Sequence, residues 1–230
     1  MKIIEPGLWV NKDWKKQINL KLPAVSICDN NFSALPMDHI KDVIYFLKDH
    51  RKRVMIESGI DCKFVTKELA DVLSEVTYAS NNGFRMAFDR IEEDGIFQKA
   101  VQTLIDAGID PGKFQVFVLF NFKDNPKEAN YRMNECSKLK VRPYPQRFTP
   151  LNKKERDNKF INKYWTPGLL RLFWGYWGSG TYWAGSSKEG GVTFEDFLKT
   201  NISKSGRGKY KVKPEDWKAW NNCEFKGLNS

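Results

Sequence analysis

Polar or charged side chains follow four short apolar runs of the sequence, at the point where each run ends. They are Asp29-Asn30-Asn31, the segment from Glu57 to Asp61, Asp89-Arg90 and Asn121. If the apolar runs are parallel strands, their carboxyl ends share one edge of the sheet, where α/β proteins build binding and catalytic sites. The polar residues therefore predict a site at that edge, although each of them also suits the ordinary capping of a loop.

Several kinds of chemistry have no support in the sequence. The chain has no glycine-rich phosphate loop, no G-x-S-x-G segment and no H-E-x-x-H segment, which are typical of nucleotide hydrolases, serine hydrolases and zinc peptidases. The four cysteines are far apart and form no C-x2-C or C-x3-C pair; they are Cys28, Cys62, Cys136 and Cys223. We therefore expect buried or unreactive thiols rather than a metal site.

The composition is that of a folded, basic protein. Of the 230 residues, 41% are hydrophobic and 14% are aromatic, which is enough to fill a packed interior. The formal net charge of +10 would attract polyanions such as nucleic acid, and a basic solvent-exposed surface is the alternative explanation. No apolar stretch reaches the ~18–20 residues of a membrane span, and the N-terminus lacks the apolar run of a signal peptide. We expect a cytoplasmic protein with no membrane partner.

Hydrophobic periodicity predicts the elements that position the polar residues. The predicted strands are Ala24–Cys28, Arg53–Glu57, Gly83–Asp89, Phe114–Phe120 and Val141–Tyr144. The predicted helices are Met37–Leu47, Thr66–Val76, Ile96–Ala107 and Pro126–Leu139. This alternation predicts an α/β fold with parallel strands joined by right-handed crossovers. Because the polar strand ends recur, we favour a partial parallel (β/α) barrel over an open sheet.

The composition changes near Pro150, which predicts two regions. Residues 1–150 form the predicted partial barrel, and residues 151–230 form a basic, aromatic-rich, α-helical and irregular C-terminal extension. Within the extension, the spacing of Leu169–Trp177 predicts an amphipathic helix that packs onto the barrel. A further one or two helical turns are expected at Phe194–Leu198.

Four segments of residues 20–150 together resemble a known family. They are Asp29–Pro36 (DNNFSALP), Glu57–Thr66 (ESGIDCKFVT), Arg85–Asp89 (RMAFD) and Val141–Phe148 (VRPYPQRF). In type and order they are similar to segments of a radical S-adenosylmethionine (radical SAM) family that is frequent in phages and bacteria. The resemblance implies a TIM-type barrel that binds S-adenosylmethionine at the carboxyl ends of its strands.

Two departures from the family pattern bear on the expected chemistry. Family members carry a C-x3-C-x2-C motif for a 4Fe-4S cluster ahead of these segments, whereas this chain has no cysteine before Cys28. In addition, Cys62-Lys63 stands in place of Ala-Arg, and Glu57-Ser58 in place of Asn-Gln. Cleavage of the cofactor depends on the cluster. We therefore expect a fragment lacking the first strand and the cluster loop, a split enzyme whose second chain supplies that loop, or a degenerate homologue.

The resemblance also implies a set of cofactor-binding residues. Asp29-Asn30-Asn31 would hold the amino group of S-adenosylmethionine, because carboxylate and amide oxygens suit an ammonium. The residues expected to line its ribose and carboxylate are Arg85, Asp89, Asn121 and Arg147, with Glu57 and Asp61 in the same site. The resemblance does not identify the substrate or a catalytic residue.

A non-catalytic binding protein is the alternative function. It would engage nucleic acid through charge and stacking by Lys204, Arg207, Lys209, Lys211, Trp217 and Trp220. That function predicts salt-sensitive binding of nucleic acid in the absence of the cofactor.

Overall fold

Strands and helices alternate along the chain in the computed structural model, which describes residues 11–150, 159–178, 192–203 and 211–225. The strands are β1 Ala24–Ile27, β2 Arg53–Ile60, β3 Thr77–Tyr78, β4 Phe84–Ala87, β5 Phe114–Phe120 and β6 Arg142–Arg147. The α-helices are α1 Met37–Asp49, α2 Lys67–Ser74, α3 Ile96–Asp106, α4 Pro126–Lys138, α5 Pro167–Gly178, α6 Phe194–Ser203 and α7 Pro214–Asn221.

The strands form one sheet in the order β1-β2-β4-β5-β6, with the short β3 paired to β2. β1, β3 and β4 all run parallel to β2. In the register, Ile27 lies opposite Ile56, and Ile56 lies opposite Phe84. The predicted α/β class with a parallel sheet is confirmed, and β1 lies at one end of the strand order.

Internal contacts divide the chain into two compact units. Unit 1 comprises residues 1–87 and 96–115, and unit 2 comprises residues 88–95 and 116–230. The division into a barrel of residues 1–150 and an extension of residues 151–230 stays a prediction.

The core of unit 1 lies on one face of its strands. Successive side chains of a strand point to opposite faces, so Val54, Ile56 and Phe84 point the same way, and all three are fully buried. The apolar sides of α1, α2 and α3 supply the rest of this core with Ile40, Ile44, Leu47, Leu69, Leu73, Phe97, Val101 and Leu104. The opposite face of β1, β2 and β4 carries Ser26, Glu57 and Arg85, and Met55 lies opposite Ser26 on it.

Helix ends in unit 1 are where local sequence signals predict them. The Thr66 side chain accepts a hydrogen bond from the Leu69 N–H at 3.1 Å, so Thr66 is the N-cap of α2. Gly108 takes the positive φ of +99° that commonly ends a helix, two residues after α3. β2 runs three residues beyond its predicted end, and β3 was not predicted because two residues are too few to show a periodicity.

Unit 2 is built around α4 and α5. Asn125 caps α4 by accepting from the N–H groups of Lys127 and Glu128, and Glu128 accepts from the N–H of Asn125 in return. α5 packs against β6, α6 and α7. The predicted amphipathic helix is therefore confirmed, whereas α7 was not predicted. No helix among the described residues is both long and apolar enough to cross a membrane.

Candidate functional site

Three polar side chains meet on the face of the unit 1 strands that is opposite the core. The Ser26 hydroxyl donates to Glu57 Oε1 at 3.0 Å. Arg85 Nη1 donates to the Glu57 carbonyl oxygen at 3.3 Å and lies 3.8 Å from Glu57 Oε2. We call Ser26, Glu57 and Arg85 the open-face cluster. It brings together two of the predicted cofactor-binding residues, Glu57 and Arg85.

The strand pattern explains how these residues reach one face. Arg85 lies between the buried Phe84 and Met86, and Ser26 lies between the half-buried Val25 and Ile27, so both polar side chains alternate with apolar residues. Ser26 was not predicted as a site residue, although its place within an apolar strand was a usable signal.

A bulge in β2 shapes the end of the strand beside the cluster. Ile56 and Ile60 are four positions apart in β2, whereas their partners Phe84 and Met86 in β4 are two positions apart. Gly59 has a φ of +89°, and a Cβ at this position would lie 3.4 Å from the Arg85 carbonyl oxygen. Bulges of this kind change the direction of a side chain next to a site, and here the bulge begins directly after Ile56.

The open-face cluster keeps hydrogen-bonding capacity that a ligand can use. Arg85 Nε is buried and makes no hydrogen bond within the protein. The side chains of Arg85 and Glu57 are 29% and 39% exposed, so a ligand can reach them. Because Nε is enclosed, a ligand reaches the guanidinium through its exposed part, and a guanidinium is suited to a carboxylate.

The Asp29-Asn30-Asn31 segment follows β1 and has a mixed role. Asp29 and Asn30 are exposed, whereas Asn31 accepts a hydrogen bond from the Ser33 hydroxyl at 2.7 Å. The same hydroxyl accepts from the Asp61 N–H at 3.1 Å, and the Asp61 carboxylate accepts from the Lys63 N–H at 3.0 Å. Asn31 and Asp61 thus hold two loops together, while Asp29 and Asn30 present their polar groups to solvent.

A groove of about 520 Å³ lies beside β1 in unit 1. Its lining is largely apolar and includes Trp14, Leu22 and Val43, with Asp29 among its polar groups. The groove flanks the strand at the end of the sheet order, where no further strand pairs with β1 among the described residues.

Asp89, a further predicted site residue, belongs to unit 2. Its Oδ1 accepts from the Leu119 N–H at 3.1 Å, and its own N–H donates to Glu93. Burial raises the pKa of the Asp89 carboxyl, and the hydrogen bond from Leu119 opposes that rise. A small cavity of about 250 Å³ beside it is lined by both signs of charge, with Asp89, Glu92, Asp124 and Glu128 facing Arg90 and Lys123.

A buried ion pair in unit 2 was not predicted. Arg132 is fully buried; its Nη2 donates to Asp124 at 2.6 Å, and its Nη1 donates to the carbonyl oxygens of Phe88 and Leu119, both at 2.9 Å. Burial raises the pKa of Asp124 to about 6, and the positive charge of the Arg132 guanidinium opposes that rise. The usable sequence signal was that Arg132 shares a helix face with apolar Ala129 and Cys136.

Asn121 and Arg147 complete the predicted residues of unit 2. Asn121 is fully buried with a φ of +66°; its Nδ2 donates to the Phe160 carbonyl at 3.0 Å, and its Oδ1 accepts from the Asn162 N–H at 2.8 Å. Its amide is thus used within the protein. Arg147 also donates to the Phe160 carbonyl, at 2.9 Å, and burial lowers the pKa of its guanidinium.

The described cysteines do not fit the iron–sulfur cluster that the resemblance implies. Cys28 is exposed, whereas Cys62, Cys136 and Cys223 are buried, and burial raises the pKa of the Cys136 thiol. Among the residues that the structure describes, no three His, Cys, Asp or Glu side chains are grouped so that they could hold a metal ion.

The residues predicted to bind nucleic acid are only partly within the described chain. Lys204, Arg207 and Lys209 lie outside the described residues. Lys211 is exposed, but Trp220 is 3% exposed and packs edge-on against Phe194 at 5.2 Å. The Trp220 ring therefore offers no face for a base to stack on.

No protein-family model, curated protein or solved structure matches this chain. The resemblance to radical SAM proteins thus rests on the four sequence segments alone.

Proposed function

We propose that this chain is a radical-SAM-like protein that binds S-adenosylmethionine at the carboxyl ends of its parallel strands. The observation that carries the proposal is the open-face cluster, in which the Arg85 side chain is 29% exposed beside the polar groups of Ser26 and Glu57. The four family-like segments supply the identity of the ligand, and the cluster supplies a place for its charged part.

Opposite charges in the ligand match opposite charges in unit 1. S-adenosylmethionine carries a carboxylate and an ammonium on the same carbon. In the proposed complex, Arg85 binds the carboxylate and Asp29 and Asn30 bind the ammonium. Glu57 holds the Arg85 guanidinium on the open face. Asn31 and Asp61 fix the two loops through the Ser33 hydroxyl.

We further propose that the sheet is a partial (β/α) barrel that lacks its first strand. Two observations support this proposal: β1 lies at the end of the strand order, and the face opposite the unit 1 core carries polar side chains. A fragment, a split enzyme and a degenerate homologue all fit these observations. Because the described thiols do not fit a cluster, the proposed activity is binding of the cofactor and includes no radical step.

Isothermal titration calorimetry with S-adenosylmethionine tests the proposal directly. We expect Arg85→Gln to weaken binding about tenfold or more, because a hydrogen bond to a charged group contributes roughly 1.5–3 kcal/mol. The matched control is Arg53→Gln, which removes the same charge from an exposed position in β2.

The choice of ligand sharpens the same experiment. Methionine carries the same carboxylate and ammonium, so we expect it to bind more weakly than S-adenosylmethionine but to lose affinity in Arg85→Gln by a similar factor. The proposal fails if S-adenosylmethionine does not bind, or if Arg85→Gln and Arg53→Gln have equal effects.

A further inference from the structure

A further pocket, of about 400 Å³, lies within unit 2 between the end of β6 and α5. Its lining includes Phe120, Arg147, Ile161, Leu170, Arg171 and Trp174. We call it the Arg147 pocket. None of these residues belongs to the open-face cluster, so an inference about the pocket stands independently of the proposed function.

The Arg147 pocket carries positive charge without a matching carboxylate. Neither Arg147 nor Arg171 forms an ion pair with any residue that the structure describes. Arg147 Nε is buried and makes no hydrogen bond, while Nη2 donates to the neutral Phe160 carbonyl. A partly buried cation without a counter-charge is unfavourable, and an anion in the pocket would relieve that cost.

An aromatic surface stands beside these two arginines. Trp174 is 44% exposed, whereas Trp177, the other tryptophan of α5, is 2% exposed. Its ring packs edge-on against Tyr144 at 5.9 Å, and this contact holds the indole in place beside the pocket. Phe120 adds a fully buried ring. A flat ring stacks or packs edge-on against such surfaces.

We infer that the Arg147 pocket binds a small aromatic anion, a flat ring that bears a carboxylate or a phosphate. The acidic group lies against Arg147 and Arg171, where two guanidinium groups offer several donors. The ring lies against Trp174. This assignment gives Arg147 a ligand of its own, in place of the cofactor role that the family resemblance implies.

Nuclear magnetic resonance titrations with three minimal probes test the inference. Benzoate and phenyl phosphate each carry the ring and one of the two acidic groups, and benzyl alcohol carries the ring without a charge. We expect at least one of the two anions to shift the Arg147 Nε–H and Trp174 indole N–H signals in a saturable way. The stronger of the two identifies the acidic group. Benzyl alcohol should shift them weakly or not at all.

Variants separate recognition from general charge effects. We expect Arg147→Gln and Arg171→Gln each to raise the dissociation constant of the better anion about tenfold. The exposed Arg53→Gln, which removes the same charge in unit 1, should leave it unchanged. Arg171 is exposed on α5, so its substitution should keep the fold even if that of Arg147 does not.

Three results would overturn the inference. They are the absence of a saturable shift with both anions at millimolar concentrations, equal shifts with benzyl alcohol, and equal weakening by Arg171→Gln and Arg53→Gln. None of them bears on S-adenosylmethionine binding by Arg85, so failure of this inference is distinguishable from failure of the proposed function.

Discussion

Each unit places an arginine beside a carboxylate, and the two pairs differ in burial and in hydrogen bonding. In unit 1, Arg85 contacts Glu57 at 3.8 Å, and both side chains are partly exposed. In unit 2, Arg132 contacts Asp124 at 2.6 Å and is fully buried. Both arginines have an Nε without a hydrogen-bond partner.

The comparison shows that the exposure of the side chain, and not the unsatisfied Nε, separates the two arginines, because Nε is buried in both. Arg132 is enclosed, and its Nη atoms already bind two carbonyl oxygens and a carboxylate, so its role is to hold strand ends to α4. Arg85 makes fewer and longer contacts and remains partly in solvent. The same pair of residue types thus serves structure in one unit and is available for recognition in the other.

The largest expected effect is on the buried pair. Arg132→Met should lower the free energy of unfolding by about 3–5 kcal/mol, because it leaves Asp124 buried without its counter-charge and two carbonyl oxygens without a donor. Urea-induced unfolding followed by circular dichroism measures the change. Exposed Arg53→Met is the control, and a loss for Arg132→Met below about 1 kcal/mol would contradict a structural role for the pair.

The pH dependence of stability gives a somewhat smaller effect. Burial raises the pKa of Asp124 to about 6, above the value of about 3.9 expected for the unfolded chain. Because the folded state then holds the proton more tightly, this contribution to stability is full below about pH 4 and is lost as the pH rises through about 6. The slope is at most about 1.4 kcal/mol per pH unit.

Asp124→Asn should remove this dependence. Asp89 also has a raised pKa and contributes with the same sign, so the difference between wild type and variant isolates Asp124. Urea unfolding at a series of pH values measures that difference. The contrary result is that the stability of the wild type rises relative to that of the variant between about pH 4 and 6. It would show that attraction to Arg132 lowers the pKa of Asp124 by more than burial raises it.

The smallest expected effect is on the open-face cluster. Glu57→Gln should change the free energy of unfolding by less than about 1 kcal/mol, because partly exposed ion pairs contribute little to stability. The exposed Glu92→Gln in unit 2 is the matched control in the same unfolding experiment. A loss as large as that for Arg132→Met would show that the two pairs do not differ in role.

Local sequence signals predicted most of the elements. Three of these signals involve only a few neighbouring residues each: the Thr66 cap, the glycine after α3 and the buried run Phe114–Phe120. The structure confirms all three. The exceptions are β3 and α7. The two-residue β3 is too short for such a signal. α7 begins with one that was not used, Pro214 at its first position followed by Glu215 and Asp216.

The candidate site was predicted less completely. Glu57 and Arg85 were selected from the sequence and lie together, but Ser26, which binds Glu57, was not. Asn121 was also predicted as a site residue, but its amide nitrogen and oxygen both form hydrogen bonds with residues about 40 positions further along the chain. No local pattern reports which distant backbone group a polar side chain will meet.

The sequence by itself determined the alternation of strands and helices, because periodicity, caps and turn residues act within one or two turns of the chain. Only the tertiary structure decided which polar groups are buried and which remain open. Arg132 is enclosed because three groups converge on its guanidinium: the carbonyl oxygens of Phe88 and Leu119 and the carboxylate of Asp124. These residues are far from Arg132 in sequence or lie on other elements. Arg85 remains open because the face of the strands opposite the core carries polar side chains, so its charge stays within reach of solvent and of a ligand.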